Sequence, residues 1–436
     1  MLIPQVRRNL ATVMPVAVLL VGVLTIVRPA NGVESGWPEF RGPAGQGISA
    51  ATQLPTTWSD QENVVWKSAL PGEGWSSPVL DDQQIYITCA VPTGDAPDSP
   101  RSLRAMCLSV VDGAKVWDVE VFKQAGEKAP AMHQKNSHAS PTPVLSDGKL
   151  YVHFADQGTA CLERSGRMVW RYNGTQYETR HGGGGSPILA GEGLVFSADG
   201  ADTQSIVSVH RASGQRIWAM DRKTDGDRKF SFSTPLLIQV KGRPQIISPG
   251  ANCVTAHDPS TGDEIWRVRY DGYSVIPRPV FGHGLVFIST SYDRPIVMAI
   301  RPDGQGDVTE SHVAWTLDRG APHTPSMVLA GDSLVMISDA GVASCVDAQS
   351  GKVQWQHRVG GNFSASPLLA DGKLYFQDED GVGIVVAPGS EYRELARNDL
   401  KERTLASYAA MDGALLIRGS SHLYRIGATA RAPEAK

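Results

Sequence analysis

The chain has 436 residues, 41% hydrophobic and 20% charged, with a net charge of −4. That balance suits a soluble globular body, and no block of Lys and Arg offers a nucleic-acid surface. With 45 Gly and 28 Pro the chain is rich in turn formers without being of low complexity.

Residues 1–32 read as a targeting segment. Arg7 and Arg8 form a positive start, Leu10 to Val27 is uncharged and apolar, and Ala30-Asn31-Gly32 supplies the small residues of a cleavage site. A cleaved signal peptide is the expectation. A retained inner-membrane anchor is the alternative, because 18 apolar residues just suffice to span a bilayer. Either way the body is expected in the periplasm or cell envelope. Without residues 1–32 the balance is 38 basic against 45 acidic side chains, or −7. No cysteine precedes Cys89, so no lipid-bearing N-terminal Cys is expected. Of the five cysteines, Cys89 and Cys107 flank one loop and could pair. Buried small residues are the preferred reading for Cys107, Cys161 and Cys345.

Residues 33–62, including "WPEFRGPAGQGIS", are turn-rich and are expected to lie across the body that follows. From Ser76 onward, eight hairpins recur: "SSPVLDDQQIYIT", "PTPVLSDGKLYVH", "GSPILAGEGLVFS", "STPLLIQVKGRPQII", "PRPVFGHGLVFIS", "PSMVLAGDSLVMI", "ASPLLADGKLYFQ" and "ASYAAMDGALLIR". Each is an apolar run, a tight Asp/Gly turn and a second apolar run. Anchored on Pro78, Pro143, Pro187, Pro235, Pro279, Met327, Pro367 and Tyr408, their spacings are 65, 44, 48, 44, 48, 40 and 41. A second element follows most hairpins, as in "CLSVVDGAKVW", "SVHRASGQRIW", "AHDPSTGDEIW" and "CVDAQSGKVQW": a small residue first, Gly seventh, Trp last. "CLERSGRMVW" is one residue shorter.

Four strands per period of roughly 40 to 50 residues predict an all-β, eight-bladed β-propeller. A four-stranded sheet cannot bury both faces alone, so blades stack around an axis. The Gly permits positive φ in the turn, the Asp bonds turn amides, and the Trp wedges between blades while its indole N–H finds a carbonyl. Trp66, Trp117, Trp170, Trp218, Trp266, Trp315 and Trp355 are the expected docking residues. The last hairpin unit has three strands and no Trp, so residues 63–70 are expected to supply its fourth. The propeller then occupies 63–427, and 428–436 is expected to be a disordered tail.

These repeats resemble the pyrroloquinoline-quinone (PQQ) repeat family, with Ala256 to Trp266 carrying its tryptophan-docking motif. The resemblance implies an eight-bladed propeller. The family includes quinoprotein alcohol dehydrogenases, the non-catalytic propeller of the outer-membrane β-barrel assembly machinery, and sensor modules. The dehydrogenase branch is similar within itself in having two adjacent cysteines over the quinone and Ca²⁺ bound by Glu, Asn and Asp. This chain has no Cys-Cys and no Cys-x-x-Cys-His. No catalytic, cofactor-binding or metal residue is therefore carried over, and no cofactor is expected, PQQ with calcium being the alternative.

Loops between blades and within them are expected to meet at one rim. They bring His133, His138, Arg180, His181 and His323 toward Asp156, Asp199, Asp339 and Asp378. His beside carboxylates can hold a metal or transfer protons. The preferred reading is that these Asp residues form turns in "ADQG", "ADG", "SDAG" and "DEDG". Four glycines in "RHGGGGSP" are read as crowding at the axis rather than an anion cradle. Trp75, Tyr177, Phe230, Phe232, Tyr273 and Phe363 are possible anchors, or pack into the channel. Together these features point to a monomeric exported scaffold, non-enzymatic, binding envelope protein or polysaccharide. The alternative is a quinone- or metal-dependent oxidoreductase acting on alcohols or sugars.

Overall fold

In a computed structural model of the chain, residues 1–2, 36–96, 99–126, 132–224, 226–290 and 292–428 are described. Residues 3–32 of the expected targeting segment and all of the expected tail but residue 428 lie outside the described residues.

Short apolar runs between Gly and Asp turns form eight four-stranded antiparallel blades, two of which gain a fifth short strand. Blade 1 comprises Val79–Leu80, Gln84–Pro92, Arg101–Ser109 and Lys115–Gln124, and blade 2 runs from Val144–Ser146 to Met168–Tyr172. Blades 3 to 7 follow in chain order, ending in Glu394–Asp399. Blade 8 takes Ala409–Met411, Ala414–Arg418 and His422–Gly427, and its outer strand is Val64–Ala69. Pairing of Val64 with Ile426 and Ala69 with His422 closes the ring, as the missing fourth strand required.

The repeated small residue and Trp are direct cross-strand partners: Cys107 faces Trp117, Cys161 faces Trp170, Ser208 faces Trp218, Ala256 faces Trp266, and Cys345 faces Trp355. A register shift sits beside this pair in every blade that has it. The extra residue of such a bulge bends and twists the outer strand, which turns the indole toward the next blade. Six indole N–H groups donate to carbonyls of the following blade. Trp66 reaches Val110 at 2.9 Å, Trp117 reaches Arg164 at 2.7 Å and Trp170 reaches Arg211 at 3.0 Å. Trp218 reaches Pro259, Trp315 reaches Ala348 and Trp355 reaches Gly389. In five of the six, Trp355 excepted, the turn glycine of the following blade lies under the ring. At Gly262, with φ 80°, a Cβ would fall 2.6 Å from Trp218.

Trp266 departs from the pattern. Fully buried, it donates to Gln245 Oε1 of its own blade at 3.0 Å. Its neighbour lacks the short Ser/Thr-Gly turn and carries Gly306–Asp307, which pairs in parallel with the outer strand Glu264–Arg269. That added strand caps the edge where a docking carbonyl would otherwise sit.

The segment from 36 to 59 is laced across the face that carries the hairpin turns. Trp37 exchanges backbone hydrogen bonds with Leu80, Leu145 N–H donates to Pro38, and Ile48–Ser49 adds in parallel to Leu368–Ala370. Thr52 is tied to Asp412, and Trp58 N–H donates to Asn398. Arg41, 1% exposed, donates to the carbonyls of Met327 and Pro367 on the inner strands of blades 6 and 7. Arg278 donates to the Phe40 carbonyl and pairs with Glu39 at 2.9 Å. The channel is thereby closed at this face. The five cysteines are buried and free, so the possible Cys89–Cys107 pair is not formed: Cys89 sits opposite Arg104, and Cys107 opposite Tyr86.

Candidate functional site

The residue one place before each hairpin anchor, which is Pro in six repeats and Met327 or Tyr408 in the other two, lies two residues ahead of the innermost strand. It is Ser or Thr in seven of the eight repeats: Ser77, Thr142, Ser186, Thr234, Ser326, Ser366 and Ser407. All seven are buried. The backbone N–H of Ser77 donates to Thr142 Oγ1, that of Thr142 to Ser186 Oγ, and that of Ser186 to Thr234 Oγ1, each at 2.9 Å. On the other side Arg278 N–H reaches Ser326 Oγ, Ser326 reaches Ser366 and Ser366 reaches Ser407, again at 2.9 Å. The hydroxyls form a belt that stitches neighbouring blades at the axis. The eighth position is Arg278, whose longer side chain instead holds the 36–59 segment.

Above the belt opens a funnel-shaped cavity of about 640 Å³, with Phe40 among its lining residues. It falls within the ~300–1,000 Å³ typical of small-ligand sites. Six rings form an arc around part of its rim, each edge-on or tilted to the next: His133–His181, His181–Phe230, Phe230–Tyr273, Tyr273–Tyr292 and Tyr292–His323, with centroids 5.4 to 5.9 Å apart. All six line the funnel. Lys135 Nζ bridges Glu379 at 2.7 Å and Asp339 at 3.7 Å. The Asp339 carboxylate also accepts the N–H groups of His323 and Thr324, and Glu379 accepts from Ser364 Oγ. Arg228 lies over the Tyr273 ring and pairs with Asp293 at 3.4 Å. Arg403 lies over Trp75. Burial, then the nearby His181 and Lys135, lower the His133 pKa.

Of the nine rim candidates, the fold gathers four at the funnel: His133, His181, His323 and Asp339. The other five do not line it. His138 is buried with Nε2 3.7 Å from Glu73, and burial, then Arg101, pushes its pKa down to about 4. Asp199 is buried in an ion pair with Arg222 at 2.8 Å. Arg222 also donates to Ser197, Ser248 and Thr255, joining blades 3 and 4. Asp378 accepts the N–H groups of Asp380 and Val382, and burial raises its pKa. Asp156 accepts from Gln157. Arg180 is exposed, 3.5 Å from Glu178. For Asp378 the turn reading describes the observed role, while Asp199 clamps two blades instead. The four glycines 182–185 are packed closely: a Cβ at Gly183 would stand 2.2 Å from that of Ala155. Trp75, Phe230, Phe232 and Tyr273 line the funnel, whereas Phe363 is buried in the core.

Lys135 and the hydroxyl belt carry much of the site and were not singled out from sequence. The belt had a signal, the Ser/Thr recurring one place before the hairpin anchor, which is Pro in all but Met327 and Tyr408. The residues present do not fit a quinone–calcium site. The funnel is lined by no cysteine, and its Asp339 carboxylate, with the neighbouring Glu379, is held by Lys135. Among the described residues no group of three or more His, Cys, Asp or Glu is placed to hold a metal ion.

A family model described as outer membrane protein assembly factor BamB matches residues 56–219, 202–327 and 306–390. The chain is 24% identical over 276 residues to outer membrane protein assembly factor BamB of Moranella endobia (strain PCIT). That alignment covers 62% of this chain and 66% of the relative, so the chain spans just under two thirds of that protein's length. Among solved structures, the crystal structure of BamB from Moraxella catarrhalis superposes with a TM-score of 0.59 at 12% identity, over 85% of this chain and 99% of that one. Quinohemoprotein alcohol dehydrogenase from Comamonas testosteroni gives 0.45 at 13% identity, over 93% and 82%.

Proposed function

The chain belongs to the outer membrane protein assembly factor BamB family, and from that premise we propose that it is an exported, non-catalytic scaffold that binds another protein of the cell envelope during outer-membrane protein assembly. The observation that carries this reading is the family match, which runs through most of the propeller. The targeting signals read in residues 1–32 support a periplasmic placement. Among the described residues no helix is long and apolar enough to cross a membrane.

Protein binding needs open surface of a suitable kind. The outer strands of blades 1 to 3 leave Val116, Val169 and Ile217 exposed, on edges whose backbone groups can accept a further strand. In blade 4 the chain's own Gly306–Asp307 has done this.

Depletion of the protein in its host tests the proposal. The abundance of folded outer-membrane β-barrel proteins falls and returns with the wild-type gene. Unchanged barrel levels, together with dye-linked alcohol oxidation by the purified chain supplied with PQQ and Ca²⁺, would overturn it.

A further inference from the structure

We propose that the funnel is a binding site for a neutral oligosaccharide, held by the aromatic arc at the rim and hydrogen-bonded by the hydroxyl belt below. The inference shares with the proposed function only the premise that this propeller binds rather than catalyses.

Three features select the ligand. The first is the arc from His133 to His323. Tyr292 is 57% exposed, and Phe230, Tyr273 and His323 are partly exposed above a closed funnel floor. Rings with one apolar face and a polar edge favour a ligand that is itself apolar on one face and polar at its rim. A pyranose ring, with its C–H face and equatorial hydroxyls, has that character.

The second is the belt. Thr142, Ser186, Thr234, Ser326, Ser366 and Ser407 each accept one backbone N–H. Among the described residues none donates its own proton to the protein. A hydroxyl carries one donor and two acceptor positions, so the throat retains a set of O–H donors at fixed height around one axis. His323 Nδ1 likewise has no partner among the described residues. A ligand rich in hydroxyl oxygens satisfies such groups, which an apolar one would leave unpaired at a cost.

The third is charge. The acids and bases at the mouth are already matched: Lys135 with Asp339 and Glu379, and Arg228 with Asp293. Arg403 rests on Trp75 and donates to the Gln134 carbonyl. An ionic ligand would have to break one of these pairs, whereas a neutral polyol leaves them intact.

The test is titration of the purified chain with maltohexaose, cellohexaose and chitohexaose, followed by saturation-transfer NMR and by Trp fluorescence, since Trp75 lines the funnel. At least one of these sugars binds saturably, and hexalysine and inorganic phosphate do not compete. Phe230→Ala and Tyr273→Ala each weaken binding about tenfold, the loss of one anchoring contact. Tyr292→Ala weakens it too, and its exposed ring makes folding of that variant secure. Val169→Ala on the outer edge leaves it unchanged. No saturable binding of any of the three, binding indifferent to the ring variants, or preferential uptake of hexalysine or phosphate would each overturn the proposal. The ring variants still restore barrel assembly in depleted cells, so failure here is distinguishable from failure of the scaffold reading.

Discussion

At the residue scale, the buried charged groups divide by what surrounds them. Arg222 and Asp199 are both fully buried. Burial opposes charge on each, yet the Asp199 carboxylate holds the Arg222 guanidinium above its ordinary range. Losing one partner of such a pair strands the other, a cost of about 3–5 kcal/mol. Asp199→Ala is expected to lower stability by that amount in denaturant unfolding, with no effect on ligand binding in the funnel. His153 and His257 carry no partner charge of that kind. Burial pushes their pKa values from 6.5 down to about 3 and about 4. Below 6.5 the unfolded chain takes up protons that the folded chain refuses. Stability contributed by these groups is therefore complete above pH 6.5 and is lost as pH falls toward 4, by up to about 1.4 kcal/mol per pH unit for each histidine. Unfolding midpoints measured from pH 7 to pH 4.5 are expected to fall, and His153→Gln to fall less steeply. Neither role was legible in the sequence. "ADG" at Asp199 reads as a turn, and only the packing of Ser197, Ser248 and Arg222 from two blades makes it a clamp.

At the element scale, the eleven-residue frame was legible because its chemistry is local. The small residue must face the indole, the Gly must take positive φ, and the Asp must accept turn amides, as Asp258 does from Ser260 and Thr261. What the frame does not encode is the neighbour. Trp266 has the most regular copy and the least regular contact, because an insertion in the next blade covers its edge. Trp218→Ala is expected to cost about 3–5 kcal/mol, and Gly262→Ala about 1–3 kcal/mol, from strained φ and contact with that ring. Trp266→Phe, which replaces the buried indole with a smaller ring and leaves Gln245 Oε1 without its donor, costs about 1–3 kcal/mol. Thermal unfolding of the three variants checks that Trp218→Ala costs the most. The belt shows the converse limit. Ser or Thr before the hairpin anchor is visible along the chain, but its use in two runs of hydroxyls bridging blades appears only when the strands meet at one axis.

At the scale of the whole molecule, ring closure was legible from a deficit, a last blade one strand short and an orphan strand near Trp66. Closure of the channel was not, because it depends on Arg41 reaching the Met327 and Pro367 carbonyls and Arg278 reaching Phe40 and Glu39, contacts between residues far apart in the chain. The result is a propeller sealed on one face, open as a funnel on the other, and edged by outer strands of which those of blades 1 to 3, 6 and 7 leave apolar side chains exposed. Such a body is suited to holding partners in place. The most direct test is photo-cross-linking in intact cells, with the reactive group placed in turn at Val116, Val169 and Ile217, and at Tyr292 in the funnel. The account predicts that the outer-edge positions cross-link to a component of the outer-membrane assembly machinery and that Tyr292 does not. Cross-links to that machinery from no outer-edge position, with barrel levels unchanged on depletion, would contradict it.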